Sequence, residues 1–229
     1  MILNKSFYNR PTLKVAQDLL GCFLVRQFPH PLPLPHSYRR GRGELFCKVN
    51  KNLSSSSLPR RQGVGGRPGG RGKVRFKIVE VEAYKGFSDL ASHASRGKTP
   101  RNQVMFGPAG IIYVYFTYGM HYMLNIVTER KDYPAAVLIR AVEPVSVNCQ
   151  VSIVRCQTNG PARLTKTLKI DKSFNGLPIY TKKHGLWIES RKQIIKPSQI
   201  KKTTRIGVDY AGEYKNKLWR FYLKNSQFI

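Results

Sequence analysis

The run from Phe76 to Tyr84, FKIVEVEAY, alternates with a side-chain period of two and so reads as a strand. The alternation puts Val79, Val81 and Ala83 on one face and Ile78, Glu80, Glu82 and Tyr84 on the other. One face can pack while the other carries two acids beside an aromatic ring. A second strand is expected over Ile111–Phe116 and a third apolar run over Met120–Val127, with Thr117-Tyr118-Gly119 between them. The glycine marks a hairpin turn. Tyr118 then sits near the tip, pointing away from the sheet.

Acids are the scarce residue type, with 12 Asp plus Glu against 40 Lys plus Arg and a net charge of +28. A search for a general base is therefore short, and Glu80 and Glu82 stand out because they flank Val81 in an apolar strand. Taken singly, each residue of this stretch has an ordinary structural reading. A strand carboxylate in a basic protein is usually an ion-pair partner. His93 alone suits a loop or a satisfied core position. Tyr84, Tyr113, Tyr115, Tyr118 and Tyr122 alone suit sheet packing.

The chain has 229 residues, 41% of them hydrophobic, which suits one domain with a substantial core. No apolar stretch reaches membrane-spanning length. The opening MILNKSFYNR lacks an apolar signal core, so an intracellular protein is expected, cytoplasmic or nucleoid-associated in a prokaryote and nuclear in a eukaryote. Pro11 and Thr12 lead into LKVAQDLL, closed by Gly21, which predicts a short amphipathic helix feeding a strand over Cys22–Gln27. Further strands are expected over Leu186–Ile188 and Trp219–Leu223. The four cysteines, at 22, 47, 149 and 156, lack CxxC spacing and read as reduced thiols. Cys149 and Cys156 with His30, His36 or His184 give no fixed ligand geometry, and no metal site is expected.

Between residues 29 and 73 the composition turns to PHPLPLPH, RRGRGE and SSSSLPRRQGVGGRPGGRG, which reads as a disordered basic insertion. Residues 30–75 contribute +10 of the net charge, which leaves +18 on the rest. The basic character thus belongs to the folded body too and points to a polyanionic partner. The glycines near residue 65 lack the flanking strand and helix of a phosphate-binding loop.

The ordered set EAY, SHASRGKTPRN, MFGPAGIIYVYFTYGMHYMLNIV and PAAVLIRAVEP resembles the alkyladenine (3-methyladenine) DNA glycosylase family. The resemblance extends to FYNRPTLKVAQDLLGCFLVR, NGPARLTKTLKIDKSFNG and RIGVDYAGEYKNKLWRFY, so most of residues 1–229 fall within it. The chain departs from the family at the 29–73 insertion and in the short segment VSVNCQVSIVRCQTNG after Pro144. The expected fold is a single α+β domain, a mainly antiparallel sheet with surrounding helices and a protruding β-hairpin.

The resemblance implies a monofunctional hydrolase that flips a damaged purine out of duplex DNA, as glycosylases do as a class. Tyr118 matches the residue that enters the minor groove and fills the vacated space. Tyr84, His93 and Tyr115 match the residues that hold the flipped base, and Asn125 matches one that excludes purines with a 2-amino group. Glu82 matches the catalytic acid that activates the attacking water, and Arg140 a neighbour that keeps this carboxylate ionised. Glu80 carries no role in this scheme. The resemblance implies no metal or organic cofactor, a monomer, and double-stranded DNA containing damaged purines as partner. A second reading, a non-catalytic basic RNA- or DNA-binding protein, explains the charge, the RGG-like tract and the tyrosines without Glu82. It does not explain the linked EAY, His93 and Tyr115 pattern.

Overall fold

The computed structural model describes residues 1–28, 72–145 and 157–229. Nearly all of the expected basic insertion lies outside the described residues, as do Cys47, Cys149, Cys156 and most of the short segment after Pro144. The elements in chain order are α1 (Lys5–Tyr8), α2 (Thr12–Leu19), β1 (Phe23–Gln27), β2 (Lys73–Lys85), β3 (Ile112–Thr117), β4 (His121–Val127), β5 (Ala135–Pro144), α3 (Pro161–Leu168), β6 (Leu186–Glu189), β7 (Ile200–Thr203) and β8 (Arg220–Leu223). The fold is α+β, as expected, with the helices set around one antiparallel sheet of eight strands in the order β3-β4-β5-β2-β1-β6, and β8, with β7 behind it, against β2.

β2 is the axis of this sheet. Its first half pairs with β1, from Gln27↔Lys73 to Phe23↔Lys77, and its second half with β8, from Glu80↔Tyr222 to Glu82↔Arg220. β5 runs along its other edge. The alternation read from the sequence breaks once within β2. The pairs Ile78↔Val142, Glu80↔Ala141 and Val81↔Ile139 pass over Val79 on one strand and Arg140 on the other, so each strand carries a bulged residue. The bulge inverts the parity of the strand. Ile78, expected to share a face with Glu80 and Glu82, instead joins Val81 and Ala83 in the main core, and Val79 is not part of that cluster.

Beyond the bulge each strand separates two environments, as a period of two requires. Val81, Ala83, Ile112, Val114, Leu124, Ile126, Val137 and Ile139 face the main core together with Val15, Ala16 and Leu19 of α2 and Leu164 and Leu168 of α3. Their chain neighbours Tyr113, Val127 and Ala136 face a second, smaller cluster with Ala94, Met105 and Phe106 from the irregular segment after β2. Glu129 caps α2 from outside, accepting from the backbone N–H of Thr12 at 3.0 Å, where the orphan amides of a helix start need an acceptor. Four elements go beyond the sequence reading, α1, β5, α3 and β7. α3 opens with Pro161 at its first position and is tied to β4 by the Thr165 hydroxyl, which donates to the Tyr122 carbonyl at 2.9 Å.

Candidate active site

The face of the sheet opposite the main core holds one continuous cross-strand row. Tyr113 pairs with Asn125, Asn125 with Leu138, Leu138 with Glu82 and Glu82 with Arg220, across five strands. The next row sets Tyr84 against Ala136 and Ala136 against Val127. Above these rows lies a pocket of about 320 Å³, walled by Tyr84, Tyr113, Tyr115, Asn125 and Arg140 from the sheet, by His93 from the segment between β2 and β3, and by Ile206, Val208 and Tyr210 from a loop that precedes β8. This size suits one small flat ligand.

Glu82 lies at the bottom of this arrangement with no exposed surface. It is not itself part of the pocket wall, being covered by residues that are. Its Oε1 accepts from the backbone N–H of Ile206 at 2.8 Å, and its Oε2 from the Tyr84 hydroxyl at 2.9 Å. Arg140 reaches both acids, Nη1 lying 3.3 Å from Glu82 Oε2 and Nε 3.3 Å from Glu80 Oε1. The β5 bulge is what aims it there: a regular strand would keep Arg140 within the pairing that the bulge passes over. Glu80, almost fully buried, is also paired with Arg220 Nε, so it is held between two guanidiniums.

The aromatic walls are mutually locked. His93 meets Tyr115 edge to face, with ring centroids 4.5 Å apart at 77°, and its Nδ1 shares a hydrogen bond with the Tyr113 hydroxyl at 3.0 Å. His93 keeps an exposed edge, yet the protein around its inner side lowers its pKa, and the nearby charge of Arg101 lowers it further. The imidazole is thus neutral at neutral pH. Burial pushes the Tyr113 hydroxyl up to about 12 and raises Tyr115 and Tyr84 as well, the latter two also through Glu82. All three phenols stay protonated. Asn125 is buried, and its amide nitrogen donates to the carbonyls of Tyr113 and Met123 at 3.2 and 3.3 Å. Among the described residues this leaves its oxygen without a protein donor at the pocket wall.

Tyr118 stands at the tip of the β3–β4 hairpin, 80% exposed, with φ of +50° and Gly119 at +67° beside it. Both central residues of the turn are left-handed, a conformation that glycine adopts freely and tyrosine does not. Phe116 and Met120, on either side of the turn, are also exposed.

The structure thus brings Tyr84, His93, Tyr115, Asn125 and Arg140 to one pocket, with Glu82 beneath its wall and Tyr118 at its rim. Sequence reasoning missed the contribution of the loop before β8. Ile206, Val208 and Tyr210 complete the wall, and Arg205 forms a fully buried bidentate pair with Asp89, at 2.6 and 2.8 Å. The only sequence signal for this loop was its place within RIGVDYAGEY. No lysine lines the pocket among the described residues, and no group of three His, Cys, Asp or Glu among them could hold a metal.

Comparison with known proteins agrees with this geometry. A model of the methylpurine-DNA glycosylase family matches residues 67–227. A protein of Methanocella arvoryzae named "Putative 3-methyladenine DNA glycosylase" is 39% identical over 235 residues, covering 100% of this chain and 95% of its own length. Proteins of the same name from Clostridium novyi and Desulfitobacterium hafniense are 36% and 35% identical over 242 residues, covering in each case 99% of this chain and 97% of their own. By matched length and by identity, the chain belongs to the methylpurine-DNA glycosylase family.

Proposed function

We propose that this chain, a DNA glycosylase by family, removes alkylated or deaminated purines from duplex DNA by hydrolysing the bond between base and sugar with a water activated by Glu82. The damaged nucleotide rotates out of the stack, Tyr118 fills the space it leaves, and the base enters the pocket between Tyr84, His93 and Tyr115. A cationic alkylated purine gains there from the faces of electron-rich rings, about one or two kcal/mol when desolvated. The neutral state of His93 avoids repelling it. Asn125 lines the wall, and its bulk there is assigned the steric exclusion of purines with a 2-amino group.

One observation carries the reading, the acceptor inventory of Glu82. An ionised carboxylate has about four lone-pair sites. Oε2 is engaged by Tyr84 and Arg140, while Oε1 accepts only from Ile206 among the described residues, which leaves a site on Oε1 for a water proton. The water oxygen bonds to the anomeric carbon, its proton passes to Glu82, and the bond to the base breaks with its electron pair leaving on the base. For a cationic alkylated purine the departing base is neutral and no further proton is needed, whereas hypoxanthine departs as an anion that then takes up a proton from solvent. Arg140 stabilises the carboxylate, and the sugar's developing positive charge is offset by the same acid. The absence of lysine from the described pocket wall supports a monofunctional hydrolase, since a lyase step needs an amine nucleophile.

The test is incubation with a duplex carrying one hypoxanthine, followed by alkaline cleavage of abasic sites. Parent protein is expected to cut the strand, and Glu82→Gln to bind the lesion yet lose at least about 100-fold in single-turnover excision. A variant within about tenfold of the parent would return Glu82 to an ion-pair role and leave the non-catalytic nucleic-acid-binding reading in its place.

A further inference from the structure

The two neutral donors to Glu82 converge on one residue that does not itself line the pocket. Arg205 precedes Ile206, whose N–H holds Glu82 Oε1, and its guanidinium lies 4.8 Å from the ring centre of Tyr84, whose hydroxyl holds Oε2. It is itself fixed from all sides. Nη1 and Nη2 form the bidentate pair with Asp89, Nη1 also donates to the Ala83 carbonyl at 3.0 Å and Nη2 to the Tyr214 carbonyl at 3.3 Å, and Trp219 covers the other approach at 5.0 Å. Asp89 in turn takes the backbone N–H groups of Lys85 and Ala91, each at 3.1 Å.

Stability is a poor explanation for this arrangement. Both side chains have no exposed surface, and a buried ion pair roughly repays its own desolvation at best. Arg205 Nε is also buried with no hydrogen-bond partner among the described residues, a further destabilising feature. A pair that contributes little stability and is positioned by two segments separated by 116 residues is suited to another task, holding the loop before β8 in register with β2.

We propose that Arg205, clamped by Asp89, is a positioning residue that sets the orientation of the Glu82 carboxylate by delivering the Ile206 N–H to one oxygen and fixing the plane of Tyr84 at the other. The proposal rests on Glu82 being the base. A carboxylate held by one rotatable arm keeps its free lone pair on the water only while both other sites are occupied. Loss of the clamp therefore slows chemistry without emptying the pocket, since neither Arg205 nor Asp89 lines it.

Arg205→Lys keeps the charge but loses the planar fork and the stacking, and Asp89→Asn keeps the shape but loses the charge. Both are to be read in two assays, unstacking of an ethenoadenine lesion by fluorescence and single-turnover excision of hypoxanthine. The expected result is binding and unstacking within about threefold of the parent with excision slowed about 100-fold, the scale of a misplacement near one ångström. Excision at the parental rate overturns the proposal. So does a parallel loss of binding and rate, or failure of both variants to fold by circular dichroism, because each would make the pair a support of the whole pocket. If Glu82→Gln excises like the parent, the catalytic reading fails first, and that result separates its failure from a failure of the clamp.

Discussion

Tyr84 donates its hydroxyl to Glu82 Oε2 at 2.9 Å from two residues further along the same strand face. The pairing makes one side chain both a wall of the pocket and a hand on the base. Removing only the hydroxyl separates these roles. Tyr84→Phe keeps the ring and its contact with Arg205, so lesion affinity should stay within about threefold of the parent. Oε2 loses its hydrogen-bond donor and keeps only the ion pair with Arg140, and the excision rate should fall about tenfold, the worth of one hydrogen bond to a charged group. Equal loss in affinity and rate would mean that the hydroxyl contacts the base and not the acid. Single-turnover rates and a binding isotherm on one duplex decide it.

His93 predicts a pH dependence with a definite sign. Its pKa lies below the ordinary 6.5, first through burial and then through Arg101, so the folded protein binds this proton less readily than the unfolded chain. The contribution of the neutral ring to stability is complete above about pH 6.5 and is lost as the pH falls toward the folded value. The same protonation places a positive charge against the bound base. Affinity for a duplex with a cationic alkylated purine should therefore fall as the pH drops below about 6.5, and affinity for a neutral hypoxanthine duplex should change less. His93→Gln should flatten the first curve onto the second. Parallel pH curves for the two lesions in the parent would remove His93 from contact with the base.

Much of this architecture is legible in the sequence, and the illegible parts share a cause. The period-two run of β2 and the Tyr118-Gly119 turn are local signals, so the central strand and the hairpin follow from residue order alone. Glu82 and Tyr84 share a face for the same reason. The bulge at Val79 and Arg140 has no such signature: an apolar valine fits either face, and which residue is passed over depends on the partner strand. The consequence is local but real, since Ile78 moves to the core and Arg140 turns toward the acids. The loop before β8 is harder still. Ile206 reaches Glu82 across 124 residues through a backbone N–H, which every residue but proline carries, so no side chain announces it. Asp89 and Arg205 each read singly as surface charges, and only the fold makes them a buried pair.

Tyr118 occupies a left-handed turn position at 80% exposure, and a non-glycine residue held there costs about 1 kcal/mol. Asparagine tolerates that conformation better. Tyr118→Asn should therefore melt no lower than the parent while losing most of its ability to unstack an ethenoadenine lesion. The pairing of those two results matters, because reduced flipping in a protein that is equally stable cannot be assigned to the fold. A variant that unstacks the lesion as well as the parent would place the wedge elsewhere on the rim, with exposed Tyr210 the next residue to change.

The ends of β1 and β2 make a test of the basic insertion feasible. Gln27 and Lys73 face each other in register, and the N–H of Phe28 donates to the Gly72 carbonyl at 2.9 Å, so the points where residues 29–71 leave and rejoin the sheet are adjacent. A short turn can join them, as in any antiparallel hairpin. The family match begins only at residue 67, and residues that follow the segment, from Tyr84 onward, already enclose the described pocket wall. Replacing residues 30–71 with such a turn should therefore leave the single-turnover excision rate unchanged. The segment carries Arg and Lys spaced by Gly, Ser and Pro, a composition suited to neutralising phosphates without forming a pocket. Its removal should lower the slope of log affinity against log salt for undamaged duplex by roughly 0.9 for each phosphate that the protein no longer neutralises. The opposite pattern, slower excision at saturating protein with an unaltered salt slope, would mean that the segment acts on the lesion itself. Both quantities come from one deletion variant, so the result is read without comparing separate preparations.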